Sequence, residues 1–215
     1  MKKTIKQLVS LIAVSILLFS IVSASMIIPA NENALENAQA PEHSNVIVRT
    51  DSGNWSLERV DFIHYANGAV EVKGGSKTTP CYKLLAGKWN TLPVNYVINP
   101  TNPYGLSDSF VTSAISTSAE TWDAATSKEL FNNAYAVNYS AQYGYQDYKN
   151  VISFGDYPNN GVIAVTSVWF SSKGATKNIV ESDILFNTRF NWGDATNNSV
   201  VMDLQNIATH ELGMS

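Results

Sequence analysis

A histidine followed directly by a glutamate, His210 and Glu211, is the pair of residues in this sequence best suited to chemistry. In the helical pattern H-E-x-x-H, two histidines one turn apart hold a zinc ion, and the glutamate polarises a water molecule. The second histidine would stand at position 214, where the sequence has Met214. The pattern therefore predicts His210 as a metal ligand and Glu211 as a catalytic base. The simpler alternative is a surface pair near a helix end.

A helix is predicted to carry this pair. Asp203 is a good N-cap residue, and it stands just before an apolar pattern with helical spacing. The apolar residues that share one face of this helix are Leu204, Ile207, Ala208 and Leu212. We therefore expect a helix that begins after Asp203 and continues to the end of the sequence.

An α+β domain over residues 87–215 is predicted to position that helix. Apolar residues at helical spacing predict an amphipathic helix over about 108–126, with Ser107 or Asp108 as its cap. Strand-like segments are predicted at 93–98, 137–140, 151–154, 162–170 and 179–186. We expect the helices to pack on a sheet formed by these strands.

The first 24 residues are predicted to be a signal peptide. Lysines at positions 2, 3 and 6 precede an apolar run over 8–22, and we expect cleavage after Ala24. The alternative is that the segment stays uncut as a membrane anchor. In both cases the rest of the chain lies outside the cytoplasm. We therefore expect a secreted, extracellular protein, which contacts a membrane only if the signal segment is retained.

Residues 25–86 are predicted to be a linker and a small β-hairpin region. Strand-like segments at 46–49, 57–65 and 69–73, with the pair Asn67-Gly68 before the last, favour a hairpin with a type I′ turn. The region is either a removable pro-region or a lasting part of the protein. Cys81 is the one cysteine of the chain, and it is a free thiol, a partner of another molecule, the remnant of a lost pair or a blocking ligand for a zinc site.

The composition narrows the class of protein. Hydrophobic residues make up 45% of the 215 residues and charged residues 15%, which favours a folded domain over disorder. The net charge is −4, and no run of lysine and arginine is present. We therefore expect no nucleic-acid partner, because binding to phosphates needs a basic surface.

From Lys88-Trp89 to its end, the sequence resembles the matrixin-type (metzincin) zinc metallopeptidases, especially their secreted archaeal and bacterial relatives. The segments that carry the resemblance occur in the order of the family: Lys88-Trp89 with 93–98, ETWDAAT at 120–126, VISFG at 151–155, IVESDILFN at 179–187 and DLQNIATHELG at 203–213.

The resemblance implies a twisted, mostly parallel five-stranded sheet with one antiparallel edge strand, and an active-site helix below the cleft. It implies a secreted zinc metalloendopeptidase that acts on a protein or peptide substrate, with His210 as the first zinc ligand and Glu211 as the general base. The full signature needs two more histidines and a Met-turn. Met214 stands at the second ligand position, and the later parts lie past Ser215. We therefore expect an incomplete catalytic domain that is inactive and holds no tight zinc.

The resemblance also implies a strand that binds substrate. The segment 162–168 would be the edge strand that pairs with an extended peptide, and the alternative is a core strand. The residues predicted to bind substrate are Val162, Ile163, Ala164, Val165 and Thr166.

Calcium is a further metal common in the family. Asp147, Asp156 and Asp183 are candidate oxygen ligands, with turn formation in loops as the simpler explanation of each. A different class of function is the alternative to the whole interpretation. It is a non-catalytic, secreted or surface-attached β-rich binding protein in which the His-Glu pair is incidental.

Overall fold

Ten strands and two helices make up the described part of the protein. The computed structural model describes residues 42–46, 55–66, 87–173 and 176–215. The elements in chain order are β1 (Glu42–Val46), β2 (Trp55–Tyr65), β3 (Lys88–Trp89), β4 (Val97–Asn99), α1 (Asp108–Ala124), β5 (Ala136–Val137), β6 (Val151–Gly155), β7 (Val162–Lys173), β8 (Thr176–Asn187), β9 (Trp192–Gly193), β10 (Met202–Asp203) and α2 (Leu204–Leu212).

One mixed sheet dominates the architecture. Its strands follow the order β1-β2-β7-β8-β6-β4-β5, and β3 pairs with the first part of β8. The strands β5, β4, β6 and β8 run parallel to their neighbours in that order. At the other end β7 is antiparallel to β8, β2 is antiparallel to β7, and β1 is antiparallel to β2. The short strands β9 and β10 form a separate parallel pair. The predicted α+β class is therefore confirmed.

The segment 162–168 is a core strand, which is one of its two alternatives, and the expectation that it lies at the edge of the sheet is wrong. The sheet has seven strands along its main path, and β7 lies inside it between β8 and β2. The pairing with β2 extends along nearly the whole of β7, from Tyr65 opposite Val162 to Trp55 opposite Lys173. The reason is that β2 has a buried apolar side chain, Phe62, on the face that the helices cover. Pairing with β7 buries that side chain and satisfies the backbone groups of both strands.

Several predicted features lie outside the described residues. These are the signal segment 1–24, the linker, the Asn67-Gly68 turn with its strand at 69–73, and Cys81. Neither helix in the described part of the chain has the length and apolar character needed to cross a bilayer.

The main core lies between the sheet and the two helices. The core side chains of α1 are Val111, Ala114, Ile115 and Ala119, and those of α2 are Leu204, Ala208 and Leu212. They pack on the inner face of the sheet, where the buried residues include Ile98, Ile152, Ala164, Ile184 and Phe186. Because these side chains are buried, α2 turns one fixed face toward β7. The candidate functional residues lie on that side of the helix.

Each helix has a capped N-terminus, and two side-chain hydrogen bonds tie α2 to α1. Ser107 caps α1 by accepting from the amide of Phe110 at 3.2 Å, and Asp203 caps α2 by accepting from the amide of Asn206 at 2.9 Å, as predicted. Between the helices, Ser118 Oγ donates to the carbonyl of Gln205 at 2.8 Å. Trp122 Nε1 donates to the carbonyl of Thr209 at 2.6 Å. The helix that carries His210 and Glu211 is thus tied to α1 along its length.

Candidate functional site

Glu211 is a buried carboxylate held between α2 and β7. Its exposed fraction is 1%, although an ionised carboxylate is costly to bury without partners. Thr166 of β7 supplies one partner, because its Oγ1 donates to Glu211 Oε2 at 2.6 Å. His64 of β2 supplies the other, with Nδ1 at 3.0 Å from Glu211 Oε1. Both oxygens of the carboxylate are therefore hydrogen-bonded by side chains of adjacent strands.

His64 reaches the site because of the register of β2 on β7. In that register His64 lies opposite Ala164 and Phe62 lies opposite Thr166. Alternate residues of a strand share one face, so Phe62 and His64 both point toward the helices. The His64 ring then lies beside the His210 ring of α2, with centroids 4.5 Å apart and planes inclined by 41°.

Three metal-ligating side chains converge at this point. Ligand-type atoms of His64, His210 and Glu211 all lie within 4.8 Å of one another. Two imidazoles and one carboxylate form a donor set that suits zinc, and three protein ligands leave a fourth position open. The same set does not suit calcium, which takes six to eight oxygen ligands. The residues present therefore fit zinc.

The surroundings of His210 favour its neutral form. Burial lowers the pKa of His210, and the nearby His64 acts in the same direction, whereas the carboxylate of Glu211 opposes both. A neutral imidazole keeps a lone pair for a metal ion. His210 can therefore serve as a ligand without first losing a proton near neutral pH.

Met214 does not join the three ligands. It packs instead against an apolar cluster formed by Phe62, Val168, Phe170 and Ile179. The side chain at position 214 thus contributes to packing between α2 and the strands β2, β7 and β8.

The five residues predicted to bind substrate all lie in β7 and are all buried. Thr166 contacts the catalytic candidate Glu211 directly. The other four, Val162, Ile163, Ala164 and Val165, are core side chains. Because β2 and β8 pair with both sides of this segment, no added peptide can pair with it while β2 is in place. Substrate binding by these residues stays a prediction.

The three aspartates considered for calcium do not come together as a metal cluster in the part of the chain that the structure describes. Asp183 Oδ1 and Oδ2 accept from the amides of Val151 and Gly144, both at 2.8 Å. Asp147 pairs with Lys149 at 2.7 Å, and Asp156 pairs with Arg189 at 2.6 Å. Each of these carboxylates is thus engaged by protein donors.

His64 is the residue of this site that the sequence patterns do not predict. The available signal was a histidine on the same strand face as Phe62, where an apolar residue is the usual choice. An imidazole among inward-facing positions of a half-buried strand needs a polar partner. The sequence gives no indication of which partner that is.

Comparison of the chain with protein-family models and with curated proteins found no match.

Proposed function

We propose that the chain is a secreted zinc metalloendopeptidase of the matrixin type, held in a closed and inactive form. The observation that carries the proposal is the buried Glu211 carboxylate, which has a ligand-type atom within 4.8 Å of one of the His210 imidazole, on a helix that packs directly against β7. Further support comes from the strand order β5-β4-β6-β8-β7, in which four parallel strands are followed by one antiparallel strand. We infer that this part of the larger sheet is the counterpart of the five-stranded arrangement that the resemblance implies.

The proposed chemistry assigns one role to each residue. His210 holds the metal, and zinc, when bound, supplies a Lewis acid at the site. Glu211 accepts a proton from the water that attacks the peptide carbonyl, and it passes this proton to the leaving amine. The backbone of β7 holds the peptide in extended form through main-chain hydrogen bonds. These steps need one free oxygen on Glu211 and one free edge on β7.

In the described conformation neither requirement is met. His64 and Thr166 occupy the two oxygens of Glu211, and β2 occupies the edge of β7. Hydrolysis by this site therefore requires β2 to leave. The same observation favours the second candidate, a non-catalytic β-rich binding protein in which β2 is a permanent strand and Glu211 is a structural acid.

A chain with a completed ligand set tests the proposal. Met214→His should add a second imidazole to α2, and a matrixin-type C-terminal extension should add the remaining histidine and the Met-turn. Starting the extended chain at Gly87 removes β2. We expect this protein to bind zinc and to cleave casein, and we expect a chelator to stop the cleavage.

The control is Glu211→Gln in the same extended chain. It should keep the zinc and lose most of the cleavage, because it removes the base and leaves the histidines. If the extended chain folds and binds zinc but cleaves nothing, the peptidase proposal is wrong. Equal cleavage by the Gln variant would show that Glu211 is not the base.

A further inference from the structure

We propose that His64 is a metal ligand, and that His64, His210 and Glu211 together bind one zinc ion while β2 is paired with β7. This inference rests on the proposed function only for the choice of zinc. It replaces the expectation, drawn from a single imidazole, that the chain holds no tight zinc. It also gives β2 a role in metal binding. The H-E-x-x-H pattern around His210 does not include this strand.

The geometry brings the three side chains close to the spacing that zinc requires. At zinc–ligand distances of about 2.0 to 2.2 Å, the ligand atoms of a tetrahedral site are about 3.4 Å apart. His64 Nδ1 and Glu211 Oε1 are already at 3.0 Å, and no pair in the cluster exceeds 4.8 Å. The widest pair must therefore approach by about 1.4 Å at most. Rotation of an imidazole about its side-chain torsions provides a movement of that size.

The surroundings hold the ligands in place, and zinc would take the position of the proton shared between His64 Nδ1 and Glu211 Oε1, which is released to solvent. Thr166 Oγ1 holds Glu211 Oε2 at 2.6 Å, which leaves Oε1 directed toward His64. A hydrogen bond to the second oxygen of a ligating carboxylate orients it toward the metal. Thr166 is thus a positioning residue for this site.

The site is open to solvent on the side of His64. The His64 side chain is 28% exposed, whereas that of Glu211 is 1% exposed. Metal ions can therefore enter past the β2 side of the cluster. A water molecule can also take the fourth position on a metal held by three protein ligands.

Zinc at this position would stabilise the closed form. With His64 and Glu211 both serving as ligands, the metal links β2 to α2 and leaves Glu211 unable to act as a base. A ligand that binds only one conformation stabilises it by RT ln(1 + [L]/Kd), so the stabilisation grows with the logarithm of the zinc concentration once the site is saturated. Zinc would thus hold β2 in place at first. The same zinc would serve catalysis once β2 is released.

Zinc binding by the full chain, without a purification tag, tests the inference. Equilibrium dialysis against zinc chloride, followed by elemental analysis, measures the zinc held per chain. We expect about one zinc per folded chain, and a rise in melting temperature when zinc is added. His64→Gln keeps a side chain that can donate to Glu211 but offers a poor zinc ligand, so this variant should lose the bound zinc and the rise in melting temperature. His43→Gln removes a histidine from β1 and should change neither quantity.

X-ray absorption at the zinc edge gives a second readout on the unmodified chain, which does not depend on the folding of a variant. We expect two imidazole ligands and one carboxylate. One imidazole, zinc retained in full by a folded His64→Gln variant, or zinc lost from His43→Gln would each overturn the inference. None of these measurements depends on peptide cleavage. Zinc binding without any cleavage by the extended chain would therefore refute the proposed function and leave this inference intact.

Discussion

His64 and Glu211, which are 147 positions apart in the sequence, meet with His64 Nδ1 at 3.0 Å from Glu211 Oε1. His64 belongs to β2, which pairs with β7, and Glu211 belongs to α2, which packs on β7. The contact therefore joins two elements that both lie against β7. A strand from the region before the predicted catalytic domain is therefore part of the candidate site.

The hydroxyl of Thr166 is expected to stabilise the fold through Glu211. Thr166→Val keeps the shape of the side chain but removes a donor to a fully buried carboxylate. The free energy of unfolding should fall by about 1 to 3 kcal/mol, because a buried acceptor loses its partner. Denaturant titration measures the change. Thr166→Ser is the control, since it keeps the hydroxyl, and it should lose less than the Val variant. Equal losses in the two variants would show that the hydrogen bond contributes nothing.

Gly213 is expected to be required because α1 and α2 approach each other closely at this position. Its backbone conformation does not itself require glycine. Its φ is −72°, but a Cβ atom at this position would clash with the indole ring of Trp122 at Cζ2. Gly213→Ala should therefore destabilise the fold by about 1 to 3 kcal/mol through overpacking between α1 and α2. Thermal unfolding tests this. Combining Gly213→Ala with Trp122→Leu should cost less than the sum of the two single changes, because the Leu variant removes the clash. Additive losses would contradict the proposed contact.

Two buried carboxylates on β8 are expected to make stability depend on pH. Burial raises the pKa of Glu181 to about 7 and that of Asp183 to about 7, although amides of Tyr148 and Val151 that donate to them act in the opposite direction. The folded chain therefore keeps protons that the unfolded chain releases near pH 4. The stability from these protons is fully present below about pH 4 and is lost as the pH rises through about 7.

The variant Glu181→Gln isolates this effect. The difference in unfolding free energy between the variant and the original chain should grow in favour of the variant between pH 5 and pH 8, by on the order of 1 to 3 kcal/mol. His210 is present in both proteins, so its contribution cancels when the two unfolding free energies are subtracted. Its lowered pKa makes stability rise with pH, which is opposite to the effect of Glu181. Glu120→Gln, at an exposed position of α1, should show no such growth. A difference that stays constant with pH would contradict the raised pKa of Glu181.

The elements specified by local signals are those that the sequence predicts well. Asp203 and the apolar spacing after it predict α2 together with its cap, because both act within one or two turns of helix. The segment 162–170 is predicted as a strand for a similar reason, since most of its residues are β-branched or aromatic. The α+β class follows from the order of such segments.

The position of β7 and the role of His64 could not be predicted in the same way. Both depend on which strand pairs with β7 and in which register. A shift of one residue in β2 would turn His64 to the opposite face of the sheet and away from Glu211. Long-range pairing of this kind leaves no local pattern in the sequence. The His-Glu motif predicts that Glu211 belongs to the site. No local pattern predicts that β2 covers it.

The most direct test of the account is the location of zinc in crystals of the full chain grown with zinc. An anomalous difference map at the zinc absorption edge should show one strong peak between His64, His210 and Glu211, with β2 still paired to β7. A peak bonded to His210 without His64, or zinc bound only at other residues, would contradict the central claim that β2 closes this site by supplying a ligand.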